Sequence, residues 1–187
     1  IGCHGQTIRH CPELADGLAY TLQLGNLARL AELTDITVIG DFRSRDIAAG
    51  GQGAPLVPAF HQAVFSHPDQ HRVILNIGGI ANVSNLLPNA RVTGFDTGPG
   101  NLLLDAWTQQ HTGARYDAGG QWAAGGTVDS ALLASLLSEP YFSWPVPKST
   151  GRDLFNMHWL TTALNQVQIT PQNVARTLLE FTIESIL

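Results

Sequence analysis

The chain has 187 residues, room for one domain or two small ones. Its 44% hydrophobic and 13% charged residues fit a packed core and exclude a disordered chain. A net charge of −5, with an isoelectric point near 5.7, excludes the basic surface of a general nucleic-acid binder, and no apolar run reaches the ~18 residues of a membrane span.

Two cysteines, Cys3 and Cys11, are too few for a disulfide scaffold and fit a reducing, cytoplasmic compartment. Ile1–Thr7 reads as the end of a strand entering a polar loop, CHGQT, where His4, Gln6 and Thr7 surround one glycine and suit contact with a small molecule. A metal hydrolase built on Cys3, His4, His10 and His61 fails on ligand spacing, so no metal site is assigned. Residue 1 is not Met, and residue 187 lies inside an apolar helical pattern without a stop signal; the expectation is the middle of a larger protein.

Asn26 suits the N-cap of a helix over Leu27–Leu33, and Ile36–Ile39 predicts a buried strand, an α/β pairing. That strand runs into Asp41–Asp46 (DFRSRD) and a Gly-rich loop through Pro55, a place where ligands collect in open α/β sheets. Pro55–Phe65 then predicts a helix with Leu56, Phe60 and Val64 on one face.

The central stretch is Arg72–Asn101. Two β-rich runs, Val73–Ile77 and Ile80–Leu87, meet at Gly78-Gly79, which predicts a tight hairpin with positive φ at its turn. A third strand, Arg91–Phe95, is expected to end at Asp96, followed by the loop Thr97-Gly98-Pro99-Gly100-Asn101 and a helix over Leu102–His111. Bare backbone at a Gly turn can hold phosphate oxygens, and the acid stands beside it; together they predict a nucleotide-phosphate cradle with a nearby carboxylate. Asp105 is expected to face solvent. Tyr116–Thr127 predicts a lid or plain loop, Val128–Leu137 a helix, Pro140–Pro147 irregular chain, Lys148–Asp153 a capping turn, and Thr170-Pro171 the start of a last helix.

The motifs CHGQT, DFRSRDIAAGGQGAPLVPAFH, NIGGIANVS, FDTGPGN and PKSTGRDLFN, in this order, resemble the anhydro-N-acetylmuramic acid kinases of bacterial cell-wall recycling. The resemblance implies an α/β, ribonuclease-H-like (actin-like ATPase) fold, with part of a first lobe in 1–70 and part of a second in 71–187. It implies ATP and Mg²⁺, a homodimer being allowed for, and phosphorylation of 1,6-anhydro-N-acetylmuramic acid at O6 as water opens the anhydro ring. By motif position it gives Asp96 the catalytic role; Gly78, Gly79, Asn82, Gly98, Gly100 and Asn101 the nucleotide; and His4, Gln6, Thr7, Arg43 and Asp46 the sugar. The family's opening Gly-Thr-Ser-Met-Asp-Gly phosphate loop and its later Gly-Gly-Gly stretch are not among these residues, so the segment is not expected to turn over alone. The competing reading is a non-catalytic sugar-binding or sensor module of the same fold.

Overall fold

A computed structural model describes residues 1–12, 19–165 and 167–187, which form a mixed α/β chain of two compact units, Ile1–Val57 and Pro58–Leu187. In the first unit, β1 (Gly2–Cys3) pairs in parallel with β4 (Ile39–Gly40), and β2 (Gln6–Cys11) pairs antiparallel with β3 (Tyr20–Leu24). The helix α1 (Leu27–Thr34) starts where expected: the Asn26 side chain accepts the Arg29 amide at 2.8 Å. A short helix, α2 (Ser44–Ala48), replaces the middle of the predicted loop. The predicted buried strand over Ile36–Ile39 is corrected to β4 alone, and Ile36 and Ile39 are 51% and 63% exposed. Burial depends on what covers a strand. Among the described residues of this unit only Ile47 is a buried hydrophobic side chain.

The second unit opens with α3 (Pro58–Phe65), three residues later than predicted. Pro58 explains the shift: a proline disfavours helical backbone at the residue before it, so a helix from Pro55 would break at Val57. The face of Phe60 and Val64 is exposed. Next come β5 (Arg72–Ile77), β6 (Ile80–Leu86) and β7 (Thr93–Pro99), an antiparallel sheet in that order. The third strand runs through Asp96-Thr97-Gly98-Pro99 and does not end at Asp96. Pro99 is tolerated because β7 lies at the sheet edge, where a missing amide can face away from the ladder. Registers Ala81↔Gly98 and Asn82↔Asp96 leave Thr97 as an extra residue on β7, a β-bulge.

The helices α4 (Leu102–Thr112), α5 (Gln121–Ala124), α6 (Ser130–Leu137), α7 (Met157–Leu164) and α8 (Pro171–Ile186) complete the unit. Their buried faces, together with Phe155 from the chain before α7, form one core that includes Leu103, Trp107, Leu132, Leu160 and Phe181. Asp129, Asn156 and Thr170 cap α6, α7 and α8 by side-chain acceptance. The Tyr116–Thr127 segment carries α5 and is tied to its surroundings: Asp117 takes the Trp122 and Ala123 amides, and Gln172 and Asn173 of α8 bond Trp122 and Thr127.

Candidate functional site

The Gly78-Gly79 turn is built from its carbonyls. Amides of Gly100 and Leu102 donate to the Gly79 oxygen at 2.9 and 3.1 Å, and the Asn101 amide donates to the Gly78 oxygen at 2.8 Å. Neither Gly78 nor Gly79 has positive φ, which corrects the expected turn type; anchoring by the start of α4 substitutes for it. The glycine that the turn demands is Gly100, where a Cβ would lie 2.3 Å from the Gly78 oxygen. Gly98, at φ 154°, would set a Cβ 2.9 Å from Phe142 Cε1. Gly98 and Gly100 therefore serve close packing, and the backbone donors of Gly100 and Asn101 are spent inside the fold. Among the described residues the Gly79 amide makes no backbone hydrogen bond, and the Asn101 side chain is exposed without a capping bond.

Behind the turn stands Asp96, 6% exposed. Asn82 is its register partner on β6, so the two side chains share a face of the sheet as near neighbours. The segment 141–150 wraps Asp96. Its amide donates to the Lys148 carbonyl at 3.0 Å, its carbonyl accepts the Tyr141 hydroxyl at 2.5 Å, and its Oδ2 accepts the Thr150 amide at 3.0 Å. Burial first, then the Asp96 charge, push the Tyr141 phenol far above its usual range, so it stays protonated and donates. Lys148 is buried over the Tyr141 ring at 4.7 Å, with Nζ donating to the Tyr141 and Phe142 carbonyls at 3.0 Å each. Burial lowers its pKa. The Lys148–Asp153 cluster is thus a brace for Asp96, where a helix-capping turn had been expected; α7 is capped by Asn156. Asn82 Oδ1 and Thr150 Oγ1 are buried with no hydrogen-bond partner.

In the first unit a cavity of about 200 Å³ is lined by His4, Thr21, Gln23, Asp41 and Ser44, among others. Of the five predicted sugar residues only His4 lines it. Gln6 and Thr7 lie on β2, where Thr7 Oγ1 accepts the Gln23 amide at 3.3 Å. Arg43 Nη1 donates to the Gly53 carbonyl and Asp46 Oδ2 accepts the Gly53 amide, each at 2.7 Å, so both clip the Gly-rich loop. Asp41 and Ser44, from the same DFRSRD stretch, line the cavity in their place.

The chain matches the model of the family described as anhydro-N-acetylmuramic acid kinase over residues 1–187. It belongs to the anhydro-N-acetylmuramic acid kinase family. It is 58% identical over 186 residues to the anhydro-N-acetylmuramic acid kinase of Nitrosomonas europaea, covering 100% of this chain and 50% of that protein. It is 58% identical to that of Photobacterium profundum, covering 97% and 48%, and 54% identical to that of Pasteurella multocida, covering 100% and 49%. The chain spans about half the length of the curated relatives it matches. Thr150, Tyr141 and Lys148 bond Asp96 and are not among the candidates that the sequence offers. The signal was present in the PKSTG motif, but its partner Asp96 lies 54 positions away in sequence.

Proposed function

We propose that this chain supplies the catalytic base and part of both substrate sites of a kinase that hydrolytically opens 1,6-anhydro-N-acetylmuramic acid and phosphorylates O6 with ATP, giving N-acetylmuramic acid 6-phosphate. The two units are parts of two lobes of a ribonuclease-H-like fold, the second holding three antiparallel strands followed by a helix. The single observation that carries the reading is Asp96: a buried acid in the family's motif, whose backbone amide and carbonyl and whose carboxylate each bond the segment 141–150 beside a Gly turn. A sensor module has no need of a carboxylate held so firmly.

In the reaction Asp96 takes a proton from water as the water oxygen bonds to the anomeric carbon. The carbon–O6 bond breaks and its electron pair remains on O6. O6 then attacks the γ-phosphorus, and the bond to the departing diphosphate breaks. On the nucleotide side, Gly78, Gly79 with its unused amide, Asn82 and the Asn101 side chain contact ATP, while Gly100 keeps the turn closed and Gly98 packs on Phe142 and Ser185. Magnesium bound with ATP would supply charge neutralisation at the phosphates, and the described residues present no group of three or more His, Cys, Asp or Glu side chains to hold it by themselves. His4 contacts the sugar, with Gln6, Thr7, Arg43 and Asp46 shaping its loops. Both cysteines are free thiols, which suits a cytoplasmic setting, and no described helix is long and apolar enough to cross a membrane.

The test is Asp96→Asn in the intact protein. A general base contributes about 10²–10⁴-fold, so kcat should fall at least ~10²-fold while both substrates still bind. Near-normal kcat would assign the proton to another acid.

A further inference from the structure

We propose that Tyr141 and Lys148 are positioning residues for the reaction: together they clasp β7 and fix the backbone that carries Asp96; this rests on the reading of Asp96 as base. The amide and the carbonyl of Asp96 are both taken up by the segment 141–150. The amide donates to the Lys148 carbonyl at 3.0 Å, and the carbonyl accepts the Tyr141 hydroxyl at 2.5 Å. The ladder is weakest at this point. Asn82 is the register partner of Asp96 and the next pair is Ala81↔Gly98, so the extra residue Thr97 interrupts the pairing immediately beside the acid. A bulge leaves its extra residue unpaired and bends the strand, and a hold from the other side offsets that freedom.

Lys148 closes the clasp. Its carbonyl takes the Asp96 amide, while its Nζ donates to the Tyr141 and Phe142 carbonyls at 3.0 Å each, so the two ends of the segment are tied to each other as well as to the strand. The same Nζ stands 4.7 Å from the centre of the Tyr141 ring. The ring has no room to swing: it is fully buried, with edge contacts to Phe155 at 5.7 Å and Trp144 at 5.5 Å. Pro145 and Pro147 stiffen the chain between the two ends by fixing φ. The Tyr141 hydroxyl and the Lys148 ammonium donate to backbone carbonyls, so their effect is on where the carboxylate stands. Position matters to a base, because a misplacement of about 1 Å can cost ~10²-fold in rate. The segment would thus serve the rate of the step at Asp96 and leave substrate affinity to other residues.

The experiment uses the intact protein with both substrates, at temperatures where circular dichroism shows each variant folded. Tyr141→Phe keeps the ring and removes the hydroxyl. It should lower kcat about tenfold or more, with both KM values within about twofold. Lys148→Met keeps the length of the side chain and removes its donors; it should lose kcat in the same way, and it carries the test should the phenylalanine misfold. The double variant should lose little more than the worse single, since both act through one clasp. Leu132→Ala, a truncation in α6 outside the segment, lowers stability through the same core, and its folded form should keep kcat. Normal kcat in the folded clasp variants, an equal loss in Leu132→Ala, or a rise in KM in place of a fall in kcat would each overturn the proposal. Asp96→Asn separates the two readings. If it loses rate while the clasp variants keep theirs, only the positioning role falls; if it keeps its rate, the base reading falls and takes this proposal with it.

Discussion

The two units of the chain use apolar residues in opposite ways. Among the described residues of Pro58–Leu187, twelve buried hydrophobic side chains form one continuous core, drawn from α4 to α8, the turn at Tyr141 and Phe155 before α7. In Ile1–Val57 the strands and helices carry comparable apolar residues, yet Ile8, Leu22, Leu24, Leu33, Ile36 and Ile39 are exposed. The first unit has secondary structure but little of its own core. Hydrophobic stabilisation follows the area removed from water, so the chain's cohesion resides in the second unit, where Asp96 stands.

The largest expected effect tests that asymmetry. Phe155 is fully buried and makes edge contacts with Tyr141 and Trp159. Phe155→Ala should cost about 3–5 kcal/mol, a transfer loss plus a cavity. Leu33→Ala, at a residue 70% exposed, should stay within about 0.5 kcal/mol. Denaturant unfolding of both variants decides it; equal losses would mean that the first unit has a core of its own.

A smaller effect is expected at the junction of core and site. Gly100→Ala sets a methyl 2.3 Å from the Gly78 carbonyl, which belongs to backbone and cannot swing away. Overpacking of this kind costs about 1–3 kcal/mol. The expected outcome is lower stability together with weaker nucleotide affinity by calorimetry, since the displaced carbonyl belongs to the turn. Gly79→Ala is the control: the nearest atom to its added Cβ is Leu102 Cβ at 3.9 Å, and its φ is not positive. Stability should therefore hold there, and loss of affinity alone would mark the turn as a ligand contact.

These contrasts explain which parts of the molecule were legible in the sequence. Elements set by local chemistry were readable: Asn26 before α1, Thr170-Pro171 before α8, and the two β-rich runs flanking Gly78-Gly79. Features set by distant partners were not. The extension of β7 through Asp96 depends on pairing with β6 across a bulge, and Gly and Pro in DTGPG pointed to a loop instead. Burial of Ile36–Ile39 could not be read from its β-branched pattern, because that pattern says nothing of a covering layer. At the site, Asp96 was legible by motif, whereas its brace joins residues 141–150 to it over a long sequence gap. In the DFRSRD stretch the charged pair drew attention, yet Arg43 and Asp46 both turn to Gly53, and Asp41 and Ser44 line the cavity.

The finest probe of the second unit's density is Asp105, in the first turn of α4, which the sequence placed toward solvent. It is half-buried, and burial raises its pKa above the usual carboxylate value. A carboxylate near a helix N-terminus is ordinarily favoured by the macrodipole, so a raised pKa means that desolvation outweighs the dipole here. The sign of the linkage follows. Below the unfolded value of 3.8 both states are protonated at this position. As pH rises from there toward the higher folded value, the unfolded chain releases its proton first, and the folded state loses stability across that window. At neutral pH the ionised group is therefore a cost carried by the fold. Asp105→Asn keeps the size of the side chain and removes the titration. Relative to the unsubstituted chain it should gain stability as pH rises from about 3 to 7, with no change in the pH dependence elsewhere. Chemical unfolding at a series of pH values measures this. A variant that instead loses stability toward neutral pH would show that the helix dipole governs Asp105 and that α4 is less enclosed than its neighbours Leu103 and Trp107 suggest.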